Sequence, residues 1–506
     1  MTSVRIEIVV DRRGSRRWHE RLRDRLARLL PGSAIQFRLV DGADSFPTAI
    51  TQLLALERLL LRRSRPTLSD GAGLAKTEAT PDFEPSIIID CAGREQIPDH
   101  PSGALLLRPL YDGHAGELAA AASLLAGVCP SIALENVDDG TVVATGLPSL
   151  EAADGLIGGL EAVVSRVITL IEKTLLSPPG PSEARKPAKV APTPRPLAFL
   201  LRNMAFHCAR EIYHLCCYSP HWRVGWRFTD GPGVLETGGL SGVPWRALTN
   251  LGDAYAADPF PIEWRGKTCI FFEQFDHRVG KGRIFAREFE SDQPVGAPFL
   301  VLEEPWHLSY PFLIAHRQEL YLIPEASLSG AVSLYRCVEF PRKWEIETQL
   351  LTKIEAADAT IFRHANRYWM TSVIRDGIGG YSDTLAIHHA PDLFGPWEEH
   401  AQRPVLVDSR LARPAGAVVE RDGALWRPIQ DCSTGYGKKL ALARIDLLDP
   451  ENFSQTMTRV IPPGPLWPGN RLHTLNRWGR LECIDGAVFT PKNRMLRRLT
   501  SRSLDR

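Results

Sequence analysis

Four carboxylic acids stand where a repeated pattern would bring them together. Asp258 lies in Ala-Asp-Pro-Phe and Asp358 in Ala-Asp-Ala-Thr-Ile-Phe, each eight residues before a tight polar turn. Tyr310, in Ser-Tyr-Pro-Phe, keeps the same distance from a turn of its own. Glu273 and Glu325 follow seven residues after their turns, and Arg413-Pro414 and His473-Thr474 fall near the same level in two more copies. Two carboxyl groups facing each other across a narrow, partly desolvated space cannot both ionise cheaply. One is then held protonated and can give a proton while the other accepts one. Arg413 offers a different chemistry, the binding of an anionic group with His307, Tyr310 and His473 as polar partners. Gln430 and Asp431 fit either a ligand site or a structural hydrogen-bond network. The plainer reading makes Asp258 and Asp358 caps of backbone amides at strand starts. Glu273 and Glu325 would then be solvated rim residues.

The elements that must position these side chains form a repeat. Five segments share a strand, a tight turn and a second strand rich in aromatics. The turns are Arg265-Gly266-Lys267, Arg317-Gln318-Glu319, Ala365-Asn366-Arg367, Asp422-Gly423-Ala424 and Trp478-Gly479-Arg480. Successive second strands start 51, 48, 57 and 56 residues apart, a period that suits one four-stranded propeller blade. Third strands are expected at Gly282–Phe289, Ala331–Val338, Thr384–Ala390 and Lys439–Asp446. The fifth copy runs out of chain, and His221–Phe228 is the strand without a partner, so it should close the ring and remove the free edge. Trp306, Trp369 and Trp426 read as packing between blades. His277 and His388-His389 read as exposed.

The run from Ala257-Asp-Pro-Phe through Glu304-Pro-Trp-His-Leu-Ser-Tyr-Pro-Phe312, Ile323-Pro-Glu325 and Asp358-Ala-Thr-Ile-Phe362 carries a resemblance. It continues in Arg413-Pro-Ala-Gly416, Arg427-Pro-Ile-Gln-Asp-Cys432, Tyr436-Gly437 and His473-Thr-Leu-Asn476. These motifs resemble the N-terminal domain of glucosamine inositolphosphorylceramide transferases, over about 270 residues. That domain is related in architecture to the five-bladed propellers of the arabinanase, levansucrase and invertase class. In those hydrolases a blade-one aspartate is base or nucleophile, a blade-three aspartate orients, and a blade-four glutamate is the acid. The resemblance implies the first two roles for Asp258 and Asp358. Blade four has Arg413-Pro-Ala-Gly in place of the acid, so Glu325 or Glu273 would have to supply a displaced one.

The first half of the chain is built differently. Eleven of the twelve tryptophans lie after position 220, whereas residues 1–176 are rich in Leu, Ala and Arg. Strand-like Arg5–Val10, Ala34–Val40 and Ser86–Cys91 alternate with helical Trp18–Leu30 and Ala49–Leu61, and Leu156–Leu176 reads as a long helix. Ala104–Leu107, Ser131–Leu134 and Thr141–Thr145 are further candidate strands. The alternation implies a doubly wound α/β domain. Ser86-Ile-Ile-Ile-Asp90 followed by His100-Pro101-Ser102 resembles the formyltransferase fold, a resemblance that implies the fold and no catalytic residue. The turn after the first strand, Asp11-Arg-Arg-Gly14, lacks a dinucleotide fingerprint. Ser177–Pro196 carries seven prolines and reads as an extended linker.

Composition narrows the functions. The 506 residues are 44% hydrophobic and 24% charged, with a net charge of +1, which gives no overall field for nucleic acid. No apolar run is long enough to span a bilayer. The first ten residues carry charges where a signal peptide is apolar. Nine scattered cysteines without Cys-x-x-Cys fit reduced thiols, a cytoplasmic location and no zinc site.

The expected organisation is an α/β domain over 1–176, a linker over 177–196 and a connecting helix over 197–218. An all-β five-bladed propeller follows over 219–490, with a basic tail over 491–506. The expected function is that of a carbohydrate-active enzyme working on a glycosyl bond in the propeller channel. Asp258, Asp358 and Glu325 would be catalytic, and Glu273, His307, Tyr310, Arg413, Gln430, Asp431 and His473 would bind substrate. No cofactor or metal is expected, and the partner is a carbohydrate or glycolipid-type small molecule; the oligomeric state is left open. A non-catalytic propeller that binds a sugar or glycolipid head group for a partner enzyme is the alternative. A weaker one is formyl transfer to an amino sugar by the N-terminal domain.

Overall fold

The computed structural model describes the chain except residues 1–3, 42–44, 62–64, 75–82, 94–99, 178–182, 185–191, 249–252, 376–378, 494 and 497–506. The chain forms two compact units, one from Met1–His207 and one from the bulk of Cys208–Arg506.

In the first unit, β1 (Arg5–Asp11), α1 (Arg17–Leu29), β2 (Ala34–Val40), α2 (Thr48–Leu60) and β3 (Ile87–Cys91) alternate along the chain. They are followed by β4 (Leu105–Tyr111), β5 (His114–Ala115), α3 (Glu117–Leu125), β6 (Ile132–Asn136), β7 (Thr141–Gly146) and α4 (Gly155–Leu176). The sheet runs β2-β1-β3-β4 in parallel and continues antiparallel through β6 and β7. The parallel order turns back at β1, and the antiparallel β6 and β7 depart from the strand–helix alternation expected of the sheet. Val137-Asp-Asp-Gly140 is a hairpin turn, with Gly140 at φ 68°, and it folds β7 straight back onto β6. The helices gather around α4, which touches α1, α2 and α3. Glu57 of α2, 3% exposed, accepts the Leu156 and Ile157 backbone N–H groups and so caps the start of α4. His100, from the segment that resembled formyltransferases, lies 3.0 Å from Asp138.

Most of the expected linker lies outside the described residues. Glu183–Ala184 within it is not loop but β8, a short strand paired with Thr141–Val142. The connecting helix is α5, Pro196–Cys216.

The second unit holds five sheets, four of four strands and one of five, the blades of a propeller. Blade one is Ala254–Trp264, Lys267–Asp276, Lys281–Glu290 and Gln293–Leu302. Blade two is Ser309–His316, Glu319–Glu325, Ala331–Glu339 and Lys343–Thr352. Blade three is Glu355–His364, Arg367–Arg375 and Thr384–Ala390, edged by the short strands Glu398–Glu399 and Leu406–Val407. Blade four is Val419–Arg421, Ala424–Asp431, Lys439–Leu448 and Phe453–Ile461. Blade five takes Leu475–Trp478 and Leu481–Ala487 from the end of the chain, and Trp222–Phe228 and Arg246–Ala247 from before blade one. Trp222–Phe228 pairs antiparallel with Leu481–Ala487 along its whole length, which closes the ring.

The turns between first and second strands explain the period. Arg265-Gly266, Arg317-Gln318, Ala365-Asn366 and Asp422-Gly423 have positive φ at both central residues, the geometry whose twist matches two paired strands. Buried apolar side chains fill the spaces between blades; Phe260, Phe312, Ile323, Ile361 and Met370 form one such cluster. Trp369, 2% exposed, packs with Val373, Ile387 and Leu425. His388 and His389 are 6% and 4% exposed, and His277 is half-buried beside His221, so all three are more enclosed than expected. They sit on or beside strands whose neighbours cover them.

Candidate functional site

Three of the expected site residues share one backbone distortion. The inner strands of blades one, two and three slip register between Ala257 and Phe260, Ser309 and Phe312, and Ala357 and Thr360. Within those bulges Asp258, Tyr310 and Asp358 have φ of 51°, 43° and 56°. A left-handed backbone is unfavourable for residues with a side chain, and bulges of this kind re-aim side chains. Here each places a polar group among buried neighbours at one end of the inner strands. Blade four has no inner strand at this level. Arg413-Pro414 takes its place, with the Gln430 N–H donating to the Arg413 carbonyl at 2.9 Å and Pro414 bridged to Ile429.

Asp258 is 5% exposed, and its two oxygens are held by blades two and five. Oδ1 accepts the Thr474 hydroxyl at 2.9 Å and lies 3.5 Å from His473 Nε2; Oδ2 faces the Tyr310 N–H at 3.3 Å. His473 turns its Nδ1 to Asp485 at 2.7 Å. Asp485 is fully buried and also accepts the backbone N–H groups of Asp258, His473 and Thr474. Burial pushes the Asp258 carboxyl up to about 6, opposed by His473 and reinforced by the charges of Asp485 and Asp358. Burial lowers His473, but Asp485 and Asp258 outweigh it and leave the imidazole above its ordinary value. Trp222 stacks on the His473 ring, with centroids 3.9 Å apart.

Asp358, on the matching bulge, meets a cation. Its Oδ2 accepts Arg413 Nε at 2.6 Å and Gln430 Nε2 at 3.3 Å. Burial raises its carboxyl above the usual carboxylate value, with Arg413 pulling the other way. Arg413 lies 4.7 Å over the Tyr436 ring. Its position depends on Arg427, which is fully buried and donates to the carbonyls of Leu411 and Ala412 in the same loop. The Tyr310 hydroxyl bonds Thr360 at 2.8 Å and completes the layer.

The two glutamates differ. Glu325 accepts the Ser309 hydroxyl and the Ser327 N–H, both at 2.9 Å. Glu273 is 5% exposed, and its Oε1 accepts no hydrogen bond. His307 Nε2 lies 3.5 Å from that oxygen, while His307 Nδ1 accepts the Gly282 N–H at 3.0 Å. Gly282 is a glycine for a local reason: a Cβ there would come within 2.6 Å of Glu273 Oε1, His307 Cε1 and the Leu308 carbonyl. Burial first, and then the charges of Asp258, Glu325, Asp485 and Asp358, push Glu273 well above the carboxylate range. Burial lowers His307, and Glu325 opposes that shift.

Asp258, Glu273, Tyr310, Glu325, Asp358, Arg413, Gln430 and His473 thus form one connected layer. Asp431 faces elsewhere, bonding Ser433 and lying 3.4 Å from Lys439. The sequence reading missed Asp485 and Tyr255 and gave Thr474 no role beyond its level beside His473; burial, and then the charge of Glu273, raise the Tyr255 phenol. The signal for Asp485 was a second acid, besides Glu482, in the otherwise apolar strand Leu481–Ala487. Among the described residues, Asp258, His473 and Asp485 form the one group with potential ligand atoms all within 4.8 Å of one another. Their lone pairs are committed to one another and to backbone amides, so the arrangement reads as a carboxyl–imidazole–carboxyl relay.

Residues 247–478 match the family model for the N-terminal region of glucosamine inositolphosphorylceramide transferase 1. Glucosamine inositolphosphorylceramide transferase 1 of Arabidopsis thaliana is 32% identical over 215 residues, which is 41% of this chain and 28% of that protein. The Oryza sativa subsp. indica protein of the same name is 32% identical over 206 residues, 40% of this chain and 27% of that protein. The match thus spans less than a third of the curated relatives. Among solved structures, the family 117 glycoside hydrolase Zg3597 of Zobellia galactanivorans is 14% identical, covers 48% of this chain and 77% of its own, and has a TM-score of 0.32. CoXyl43, a GH43 β-xylosidase/α-arabinofuranosidase from a compost microbial metagenome, is 15% identical, covers 48% of this chain and 92% of its own, and has a TM-score of 0.34. Over 247–478, then, the propeller is similar to the N-terminal part of the glucosamine inositolphosphorylceramide transferases.

Proposed function

We propose that the propeller is carbohydrate-active and works on a glycosyl bond at the layer of Asp258 and Glu273. The observation that carries this reading is the pair itself: a buried carboxyl with an oxygen that accepts no hydrogen bond, beside a carboxylate that titrates near neutrality. Two titratable groups whose surroundings push their proton affinities to different values are the acid and base that glycosyl chemistry needs. In this reading Glu273 gives its proton to the departing glycosidic oxygen. Asp258 takes the proton from the attacking hydroxyl, whether water or a second sugar. His473 and Asp485 hold Asp258, and Asp358 is a positioning carboxylate locked by Arg413. Glu325, already accepting two hydrogen bonds, serves the layer rather than the proton. The names of the matched relatives support a sugar or glycolipid head group as the ligand class.

The test is hydrolysis and transfer on a panel of aryl glycosides, with Asp258→Asn and Glu273→Gln compared with the parent. Both variants should lose turnover by at least a hundredfold while remaining folded. In the parent, kcat/KM should fall below about pH 6 as Asp258 protonates. Retained turnover in both variants would sink the assignment.

A second reading has its own support. Both oxygens of Asp258 and Oδ2 of Asp358 already have protein partners, as a binding module would arrange them. A parent that binds sugars, loses binding on Asp258→Asn and turns over nothing would favour that module. Formyl transfer by the first unit has only the resemblance of Ser86–Asp90 and His100–Ser102 behind it.

A further inference from the structure

We propose that the propeller carries a second ligand site at the opposite end of its inner strands, a cleft that takes a neutral pyranose sugar. The inner strands of blades two and three begin at the layer of Tyr310 and Asp358 and end at His316 and His364. From Tyr310 to His316 the strand covers about 20 Å, at about 3.3 Å per residue. At that far end lies a cavity of about 800 Å³, a size typical of small-molecule clefts. Its walls include His316, Arg317 and Tyr368, Asp392 from just after the third strand of blade three, and Trp478 from the turn of blade five. None of these residues belongs to the Asp258 layer.

The polar groups of this cleft are held in place and incompletely used. The His316 side chain is 7% exposed, its Nδ1 lies 2.8 Å from the Tyr368 hydroxyl, and its Nε2 makes no hydrogen bond. Asp392 is fixed from two sides: Oδ2 accepts Arg317 Nη2 at 2.7 Å, and Oδ1 accepts the Phe394 N–H at 3.2 Å. His316 Nε2 and Asp392 Oδ2 stand 3.8 Å apart, too far to bond each other. A single oxygen can come within hydrogen-bond reach of both. A hydroxyl suits that place, because it accepts from an Nε2–H and donates to a carboxylate; Nε2 carries the hydrogen when Tyr368 donates to Nδ1. Trp478, 44% exposed, supplies a flat apolar wall for the C–H face of a sugar ring. The charges favour a neutral ligand. Arg317 and Arg363 in the lining are balanced by Asp392 and Glu420, and the two arginines donate to Asp392 and Asn366. Burial lowers His316, with Asp392 opposing and Arg317 and Arg363 adding to the shift, so the ring brings no cation to the cleft.

The experiment is a ligand-observed NMR titration of the full chain with the methyl pyranosides of glucose, galactose, mannose and xylose and the β-1,4-linked trisaccharides of glucose, mannose and xylose. Inorganic phosphate serves as the anionic probe. At least one sugar should bind saturably. Trp478→Ala and, separately, Asp392→Asn should each weaken that binding at least tenfold while keeping the parent's thermal unfolding, since both side chains reach solvent. Tyr368→Phe, which frees His316 from its hydroxyl, should weaken it severalfold. Asp258→Asn should leave it within twofold, because that residue lies at the other end of the strands. Failure of every sugar to bind overturns the proposal, as does binding that Asp258→Asn abolishes and Trp478→Ala leaves intact. Displacement of the sugar by inorganic phosphate also overturns it, and would give the cleft to an anion. The readout involves no turnover, so this second site stands or falls apart from the function proposed above.

Discussion

Blades one and three carry the same device and use it oppositely. Asp258 and Asp358 sit in matching bulges with nearly the same φ, both are buried, and each begins from the same ordinary aspartate chemistry. Asp358 meets the Arg413 guanidinium and spends its charge on a fixed ion pair. Asp258 meets no full-time cation; it faces an imidazole that is itself held by Asp485. One position is thereby locked and the other left able to titrate. The lesson is that backbone repetition brings the carboxyls to one layer, and the neighbour across the channel decides what each can do.

The largest way to break the comparison is to remove the locking cation. Arg413→Ala leaves Asp358 buried without its ion partner and should cost about 3–5 kcal/mol in denaturant unfolding. A cost below about 1 kcal/mol would mean that Asp358 simply stays protonated, as Asp258 can.

The next effect is a slope rather than a loss. A carboxyl raised to about 6 in the fold binds its proton more tightly folded than unfolded. Its ionisation therefore weakens the fold as pH rises from about 4 to 6, by on the order of 3 kcal/mol in all. His473, raised as well, adds a loss of the same sign as pH rises through its folded value. Asp258→Asn should flatten the aspartate part of that dependence; an unchanged profile of unfolding free energy against pH would show that Asp258 does not titrate there.

Smaller effects sharpen the picture. Thr474→Val removes a hydroxyl donor from Asp258 and should cost about 1 kcal/mol while moving the titration of Asp258 further up. Glu273→Gln should change stability least, by less than about 0.5 kcal/mol, because an amide of the same shape replaces a carboxyl that burial and neighbouring charges push toward its neutral form. A loss above about 1.5 kcal/mol would mean that Glu273 is ionised in the parent.

Much of the propeller was legible because its turns are. A two-residue turn with positive φ fixes the strands on either side, so five turns set five pairs of strands and the depth of Asp258, Tyr310 and Asp358. The missing partner for Leu481–Ala487 could be read the same way. The outer strands, such as Lys343–Thr352 and Phe453–Ile461, were not found, since their largely exposed faces leave little apolar pattern to read. Asp485 escaped because it stands one residue short of the depth that Glu273 and Glu325 mark in their blades, and Gly486 occupies that place. The different fates of Asp258 and Asp358 were also out of reach, because they depend on contacts between blades far apart in sequence. In the first unit the alternation of strand and helix was read beyond its end, and the Asp139-Gly140 turn was the overlooked sign that the chain reverses there.

The ring is shut by pairing Trp222–Phe228 with Leu481–Ala487, segments about 250 residues apart. During synthesis Trp222–Phe228 leaves the ribosome long before its neighbour exists. Blades one to four can assemble in order, each on the edge of the one before, but the circle stays open until the last strands arrive. Through that interval one edge of blade one and the waiting strand lie bare, open to the wrong strand from the same chain or from another. The slowest step in making this protein is therefore set by its topology, and production at lower temperature or with slowed elongation should raise the yield of closed rings more than any change to the core.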